Sequence, residues 1–304
     1  MIPINLSYII TTKNKIKYLP YVIDNLLKNI QSDEEIVVVD SNSTDGTKEY
    51  LSDLYNKKLI QKFLSEPDNA QAHGCNKALL MAEGKLLKII NDDDIFDYNG
   101  IRKCKDFMLE NTEFDIMGMD GAGTDFVNND FKIYSTSPDY INAFNKWKQD
   151  RTPFAFCDLG LMIRKSSLPY LGLFNSAYLR LDAEFTYRAS ALPKTKIAWY
   201  TGHCWVRMAN EKSISICNPQ NMIDEGKKLE YIYLGKLPEI KNKKKKSIFK
   251  KIKGKVKNLV IKKDLKSENI ETNLTESFTW DDFSKKTELW LEEINKNNKA
   301  AFHF

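Results

Sequence analysis

Apolar and polar residues alternate in blocks along the first 120 residues, and the blocks predict strands and helices by turns. Short runs rich in Ile, Val or Leu indicate buried strands, and apolar residues spaced three and four apart indicate helices. The predicted strands span residues 7–12, 35–39, 59–64 and 85–90, and the predicted helices span 19–30, a stretch starting near 44, and 72–82. This order predicts an α/β fold with an open, mostly parallel sheet and helices on both of its faces.

The pattern becomes mixed from about residue 113 onward. The chain then carries apolar runs that predict strands at 114–120, 131–135, 154–163 and 196–200, and helical stripes near 139–148, 183–192 and 219–233. After Pro238 the composition turns lysine-rich, continues as a polar linker and closes on an amphipathic segment at 278–294. We therefore predict one domain over residues 1–237, with halves 1–120 and 121–237, and a basic C-terminal extension over 238–304 that is α-helical or disordered.

Positive charge is concentrated in one stretch of this chain. Twelve lysines and no acidic residue lie between Lys241 and Lys263, and subtracting their charge from the net charge of +5 leaves −7 for the rest. A nucleic-acid-binding fold would spread basic residues over a structured face, so no nucleic-acid partner is expected. The lysines are interleaved with Ile, Phe and Val, which favours contact with an anionic membrane surface. A solvated linker explains the same charge run, and both readings remain open.

Cysteine use and hydropathy indicate an intracellular protein. The five cysteines are widely spaced without a CxxC pair, which argues against a disulfide framework and a zinc site. No apolar run approaches the roughly 18–20 residues that span a bilayer. The first residues resemble a buried strand more than a secretory signal. We expect a cytoplasmic protein, at most peripheral on the inner face of the membrane.

Acidic residues follow three of the predicted strands. Asp40 ends the second strand, Asp68 follows the third, and residues 92–94, all Asp, follow the fourth. Ligands of open α/β sheets bind at the carboxyl ends of the strands, so these acids should line one crevice. Adjacent carboxylates there favour a hard cation such as Mg²⁺ or Mn²⁺. Asx-turns, helix caps and a solvated turn are the structural alternatives.

Five motifs, taken in order, carry a resemblance to a known family. They are TTKN, VVVDSNSTDGT, SEPD followed by CNKA, EGKLLKIINDDD, and GLFNSAYLRLDAEFTYR. Together they resemble the family 2 glycosyltransferases of the GT-A fold, a Rossmann-like α/β architecture, over about residues 5–234. The resemblance implies an inverting, metal-dependent hexosyltransferase that takes a sugar from a nucleotide-sugar, usually UDP-linked. Its acceptor would be a saccharide or a lipid-linked saccharide in bacterial surface polysaccharide synthesis.

The resemblance assigns the donor side of the site residue by residue. Thr11 and Asp40 match positions that hold the nucleotide, and Asp68 matches the acid near the base. Asp93 matches the ribose-side acid, and Asp94, with Asp93 beside it, matches the ligand of a divalent metal, Mn²⁺ or Mg²⁺. A cation also makes physical sense, because a net-negative protein cannot bind a diphosphate by bulk charge.

The acceptor side follows in the same way. Asp182 matches the general base of the family, and an acceptor hydroxyl does need a carboxylate to take its proton. Glu184 and Arg188 match the acid and the arginine that support the base. Asp158 lies in a segment that lines the acceptor side in relatives.

Several residues depart from the family pattern. Ser41 stands where many relatives have a second acid that contacts uracil, and residues 70–74 replace a segment with an aromatic and an acid. A degenerate, non-catalytic binding domain is therefore one alternative. A sugar nucleotidyltransferase is another, although it would need a glycine-rich phosphate loop, and the N-terminal segment contains no glycine.

Overall fold

One central sheet organises the molecule. The computed structural model describes residues 3–127, 130–210, 213–236 and 279–304. Within these ranges ten strands form a single open sheet in the order β10-β9-β6-β8-β4-β1-β2-β3, with β5 on β9 and β7 on β6. The strands are β1 Leu6–Thr12, β2 Glu34–Asp40, β3 Lys62–Ser65, β4 Leu86–Asn91, β5 Ile95–Phe96, β6 Ile116–Val127, β7 Asp130–Ser135, β8 Leu161–Arg164, β9 Ile197–Arg207 and β10 Phe302–His303.

The sheet changes character along its width. Strands β3, β2, β1 and β4 are parallel neighbours, so their carboxyl ends meet at one edge. Beyond β4 the pairing is mixed: β8 runs antiparallel to both β4 and β6, whereas β9 pairs parallel with β6. The parallel half matches the regular alternation of the first 120 residues, and the mixed half matches the irregular pattern after residue 113.

Helices cover both faces of the sheet, as the sequence predicted. They are α1 Leu19–Asn29, α2 Thr47–Asn56, α3 Gln71–Met81, α4 Tyr98–Glu110, α5 Ser137–Asp150, α6 Leu168–Leu171, α7 Leu181–Ala191, α8 Ile214–Cys217, α9 Pro219–Leu234 and α10 Trp280–Asn297. Successive residues of a strand point to opposite faces. Tyr8 and Ile10 pack in the core under α1, α2 and α4, and Ile9 packs in the core under α3, α5 and α7. Burial on both faces explains why β1 is a continuous apolar run.

Helix α4 is an element that the sequence pattern did not predict. Its first turn is capped by Asp97, whose carboxylate accepts a hydrogen bond of 3.0 Å from the Asn99 amide. Ile101, Cys104 and Met108, spaced three and four apart, are buried against the sheet. The helix directly follows the acidic residues and so anchors their loop to the core.

The predicted strand over 154–163 is wrong in its first seven residues. Only Leu161–Arg164 forms a strand, and Asp158–Gly160 forms a turn of 3-10 helix before it. The amides of Phe154 and Phe156 donate to the hydroxyls of Ser190 and Thr186 on α7, at 3.0 and 3.1 Å. Because side chains of α7 satisfy this backbone, it is extended without belonging to the sheet.

The last described residues join the domain. Trp280 of α10 packs edge-on against Tyr18, and β10 pairs antiparallel with β9 through Phe302. The boundary predicted at residue 238 stays a prediction, and the lysine tract 241–263 lies outside the described residues. None of the helices in the described ranges combines the length and the apolar character that crossing a membrane would require.

Candidate active site

A cavity of about 630 Å³ opens at the carboxyl edge of the parallel strands. Three groups of residues form its walls. The first comes from the ends of β1, β2 and β4 and the loop after β3, the second from the 3-10 turn and the start of α7, and the third from the end of β9 and α8. In that order they include Thr11, Lys13, Lys15, Ser41, Asp68 and Asp92–Asp94; then Cys157, Asp158, Leu181 and Asp182; then Arg207, Met208 and Ile214.

Lys15 forms an ion pair with the acidic residues at the end of β4. Its ammonium bonds the Asp93 carboxylate and lies 3.9 Å from the carboxylate of Asp92. Burial lowers the pKa of Lys15, but the charges of Asp92 and Asp93 outweigh it and raise the pKa. Asn210 donates a second hydrogen bond to Asp93, at 2.9 Å. The charge of Asp93 is thus balanced by a lysine that the sequence analysis did not single out.

Asp94 lies deeper and is held by neutral donors. The Met208 amide donates to its carboxylate at 2.7 Å, and the Asn91 side chain donates at 3.2 Å. Burial, followed by the charge of Asp93, raises the pKa of Asp94 well above its usual range. The same two causes raise the pKa of Asp92 to about 7. These carboxylates have more negative charge around them than Lys15 alone offsets.

The donor atoms here fit a hard divalent cation. Asp93 and Asp94 offer carboxylate oxygens, the ligand type that Mg²⁺ and Mn²⁺ prefer. A second group has ligand atoms within 4.8 Å of one another, on Cys157, Asp158 and Asp182. Its thiol suits such a cation poorly, because burial raises the pKa of Cys157 well above its usual range and keeps the thiol protonated.

Two further carboxylates of the cavity lining approach each other. Asp158 lies in the 3-10 turn, and Asp182 lies in the first turn of α7, where the Ala183 amide donates to it at 2.7 Å. Burial, followed by the charge of Asp182, raises the pKa of Asp158 to about 7. Burial also raises the pKa of Asp182. The pair therefore has the proton affinity that base chemistry near neutral pH needs.

The predicted donor residues differ in how they reach the cavity. Thr11 lines it, whereas Asp40 is fully buried and is not among the lining residues. The Asp40 carboxylate accepts hydrogen bonds from the Ser43 amide at 3.0 Å and from the Ser65 hydroxyl at 2.7 Å. Asp40 thus holds the turn after β2, and its neighbour Ser41 faces the cavity instead.

Asp68 lines the cavity beside the first turn of α3. Lys77 donates to its carboxylate at 2.5 Å. A Cβ atom on Gly74 would lie only 2.5 Å from the Asp68 carboxylate. Glycine at position 74 therefore leaves the space that the Asp68 carboxylate occupies.

Glu184 and Arg188 lie behind the cavity wall. Arg188 donates to both carboxylate oxygens of Glu184, at 2.9 and 3.1 Å. The same guanidinium donates to the backbone carbonyls of Leu171 and, at 2.7 Å, Leu173. The pair joins α7, which carries Asp182, to the loop after α6.

Arg207 is a further basic residue of the cavity, in addition to Lys13 and Lys15, and the sequence analysis did not single it out. Its guanidinium lines the cavity and donates to the Tyr134 hydroxyl at 2.9 Å. The sequence analysis did not predict that Lys15 and Arg207 share one cavity, because almost 200 residues separate the loop after β1 from the end of β9. The signals available in the sequence were a lysine shortly after one buried strand and an arginine at the end of another.

Comparisons of the sequence identify the family. A model of Glycosyl transferase family 2 matches residues 7–169. The glycosyltransferase TuaG of Bacillus subtilis, named as a putative teichuronic acid biosynthesis enzyme, is 28% identical over 127 residues, which are 39% of this chain and 50% of TuaG. A chondroitin synthase of Pasteurella multocida is 27% identical over 107 residues, 35% of this chain and 11% of the synthase. The chain thus spans from a tenth to half of these relatives.

Solved structures share the fold. The mannosyltransferase PcManGT of Pyrobaculum calidifontis, in complex with GDP-Man and Mn²⁺, superposes with a TM-score of 0.60 at 15% identity over 77% of this chain and 65% of PcManGT. TarS of S. aureus in complex with UDP-GlcNAc superposes with a TM-score of 0.53 at 18% identity over 69% of this chain and 60% of that one. The family model spans more than half of the chain, and the fold agrees with it. The chain therefore belongs to glycosyl transferase family 2.

Proposed function

We propose that the protein transfers a sugar from a nucleotide-sugar to an acceptor hydroxyl with inversion at the anomeric carbon. The observation that carries the proposal is one cavity lined by two separate acidic groups, Asp92–Asp94 after β4 and Asp158 with Asp182 from the 3-10 turn and the start of α7. Inversion needs the leaving group and the attacking hydroxyl on opposite sides of the sugar. We assign the first acidic group to the leaving-group side and the second to the side of the attacking hydroxyl.

The first wall binds the donor. Thr11 and Asp68 contact the nucleoside, and Asp93 the ribose. Asp40 shapes this wall from behind through the turn that presents Ser41, and the cations Lys15 and Arg207 face the diphosphate.

Asp94, together with Asp93, would hold Mn²⁺ or Mg²⁺. That ion supplies positive charge to the leaving diphosphate. Asp93 and Asp94 carry negative charge that Lys15 only partly offsets, and the diphosphate of the donor is negative as well. The cation would reduce the repulsion between them, so we expect the donor and the cation to bind together.

The second wall performs the proton transfer. Asp182 accepts the proton of the acceptor hydroxyl as the oxygen bonds to the anomeric carbon and the bond to the diphosphate oxygen breaks. Asp158 contacts the acceptor and, through its charge, raises the proton affinity of the pair. Glu184 and Arg188 hold α7 in place behind Asp182.

Relatives guide the choice of substrates. TarS binds UDP-GlcNAc and PcManGT binds GDP-Man; we infer a UDP-linked donor because the resemblance implies a donor that is usually UDP-linked. TuaG is named for teichuronic acid synthesis, and a saccharide or lipid-linked saccharide of the bacterial surface suits the acceptor side here. A lipid-linked acceptor would also place the enzyme at the inner face of the membrane, where residues 241–263 would contact anionic lipid.

Calorimetric titration of the purified chain tests the donor site. UDP, GDP and ADP are each titrated with and without Mn²⁺, into the wild type and into Asp94→Ala. We expect UDP to bind, with an affinity at least tenfold higher when Mn²⁺ is present. Asp94→Ala should abolish this increase in affinity. If no nucleotide binds in either condition, the proposed function is wrong.

A further inference from the structure

A lysine is buried in the centre of the sheet, on the strand that leads into Asp92–Asp94. Lys88 lies on β4 between β1 and β8, opposite Tyr8 and Met162, and its side chain is inaccessible to solvent. A buried ammonium is costly unless its donors find acceptors. The neighbouring residues Leu87, Ile89 and Ile90 are apolar, so an apolar residue would suit the strand equally well at position 88.

The Lys88 ammonium bonds one segment of the active site directly. It donates to the backbone carbonyl of Leu159 at 2.5 Å and to that of Ile89 at 2.8 Å. Leu159 is the middle residue of the 3-10 turn that carries Asp158. One hydrogen bond therefore links β4, whose end bears the donor-side acids, to the turn that carries Asp158.

Among the described residues, Asp158 is the one carboxylate whose charge stabilises the buried Lys88 ammonium. The other groups that affect the pKa of Lys88 are the thiols of Cys204, Cys157 and Cys104. Burial lowers its pKa to about 8, so the side chain keeps its proton at neutral pH. The nearby cation also favours the ionised form of Asp158.

We propose that Lys88 is a positioning residue, which holds the Asp158–Gly160 turn and so keeps Asp158 beside Asp182. This inference rests on the proposed function of that pair. Lys88 is not among the residues that line the cavity, so we expect it to touch neither donor nor acceptor. Its removal should move the turn rather than the donor site, and a small misplacement of a catalytic wall is enough to slow turnover.

The test compares Lys88→Met with Lys85→Met, a matched change three residues away at an exposed position. Methionine keeps the length and the apolar stem of lysine, and a buried charge is often replaced by an apolar residue without loss of stability. Lys88→Leu, which also has no N–H donor, serves as the second variant where the methionine variant does not fold. Hydrogen exchange of the peptides over residues 154–162 is measured first, without donor or metal, and steady-state kinetics second.

We expect hydrogen exchange over residues 154–162 to be faster in Lys88→Met than in the wild type, and unchanged in Lys85→Met. We also expect kcat to fall on the order of a hundredfold while KM for the donor changes less than threefold. Unchanged exchange in a folded Lys88 variant overturns the proposal, and so does faster exchange with an unchanged kcat. If the wild type itself lacks donor-dependent turnover, the proposed function fails, and the exchange data still decide whether Lys88 holds the turn.

Discussion

The charge of Asp182 acts on Asp158 on the acceptor side, and this coupling predicts a pH dependence. Burial and the charge of Asp182 raise the pKa of Asp158 to about 7. Below that pH the pair holds a proton and Asp182 is a poorer base, so kcat should rise as the pH increases through about 7. The other groups that act on the pair are Cys157, Lys88 and Arg180.

Asp158→Asn separates this explanation from a general effect of pH. Removing the negative neighbour lowers the pKa of Asp182, so the acidic limb of the kcat profile should move to lower pH. The profile is measured at saturating donor and metal, so that titration of the donor wall does not contribute. An acidic limb that stays where it is in Asp158→Asn would contradict the coupling.

Gly74 controls the position of Asp68, and an added methyl group tests this. Gly74→Ala places a Cβ atom 2.5 Å from the Asp68 carboxylate, which must move. We expect KM for the donor to rise about three- to tenfold, a loss of about 1 kcal/mol, with little change in thermal stability because alanine favours the helix. In an Asp68→Ala background the same change should have no further effect on KM. An equal rise in both backgrounds would show that Gly74 acts elsewhere.

At the scale of elements, helix α7 contains an ion pair that tests how the acceptor wall is held. The Glu184 side chain is 5% exposed and Arg188 also bonds two backbone carbonyls. Arg188→Met should therefore lower the free energy of unfolding by about 1–3 kcal/mol, since it leaves buried acceptors without donors. The comparison is Lys146→Met, which breaks an exposed pair with the same spacing on α5 and should cost less than about 0.5 kcal/mol. Urea unfolding of both variants checks this, and equal losses would contradict it.

Most elements of the parallel half could be predicted from the sequence. β1, β2 and β4 are rich in Ile, Val and Leu because both faces of each strand are buried, and their short length together with the flanking turn residues favours strands. Helix α4 was not predicted, because Lys105 on its buried side interrupts the apolar stripe. That lysine is buried in an ion pair with Glu34 at 2.7 Å, a long-range partner that no local pattern shows.

Residues 154–160 were assigned to a strand for a related reason. Most of their apolar residues are buried, as the pattern indicated, but the amides of Phe154 and Phe156 bond Ser190 and Thr186 instead of a neighbouring strand. Burial can be predicted from composition, whereas the partner of a backbone amide depends on which helix packs above it. The position of Asp158 in a turn depends on this partner and was not predictable.

At the scale of the whole molecule, the cavity is built from segments far apart in the chain. The sequence placed Asp68 and Asp92–Asp94 at one sheet edge, because parallel strands bring their carboxyl ends together. It did not place Lys15 and Asn210 on Asp93, nor exclude Asp40 from the cavity wall, since those contacts depend on how the loops fold over the edge. Motifs locate the acids of this site, and the tertiary structure decides which of them face the cavity.

The most direct test of the account is the kinetics of Asp182→Asn. The substitution keeps the size and a hydrogen-bonding group but removes the base. We expect donor affinity, measured by titration with Mn²⁺ present, to change less than twofold and kcat to fall on the order of a hundredfold or more. If donor affinity collapses while turnover at saturating donor is retained, Asp182 is a binding residue and the proposed mechanism is wrong.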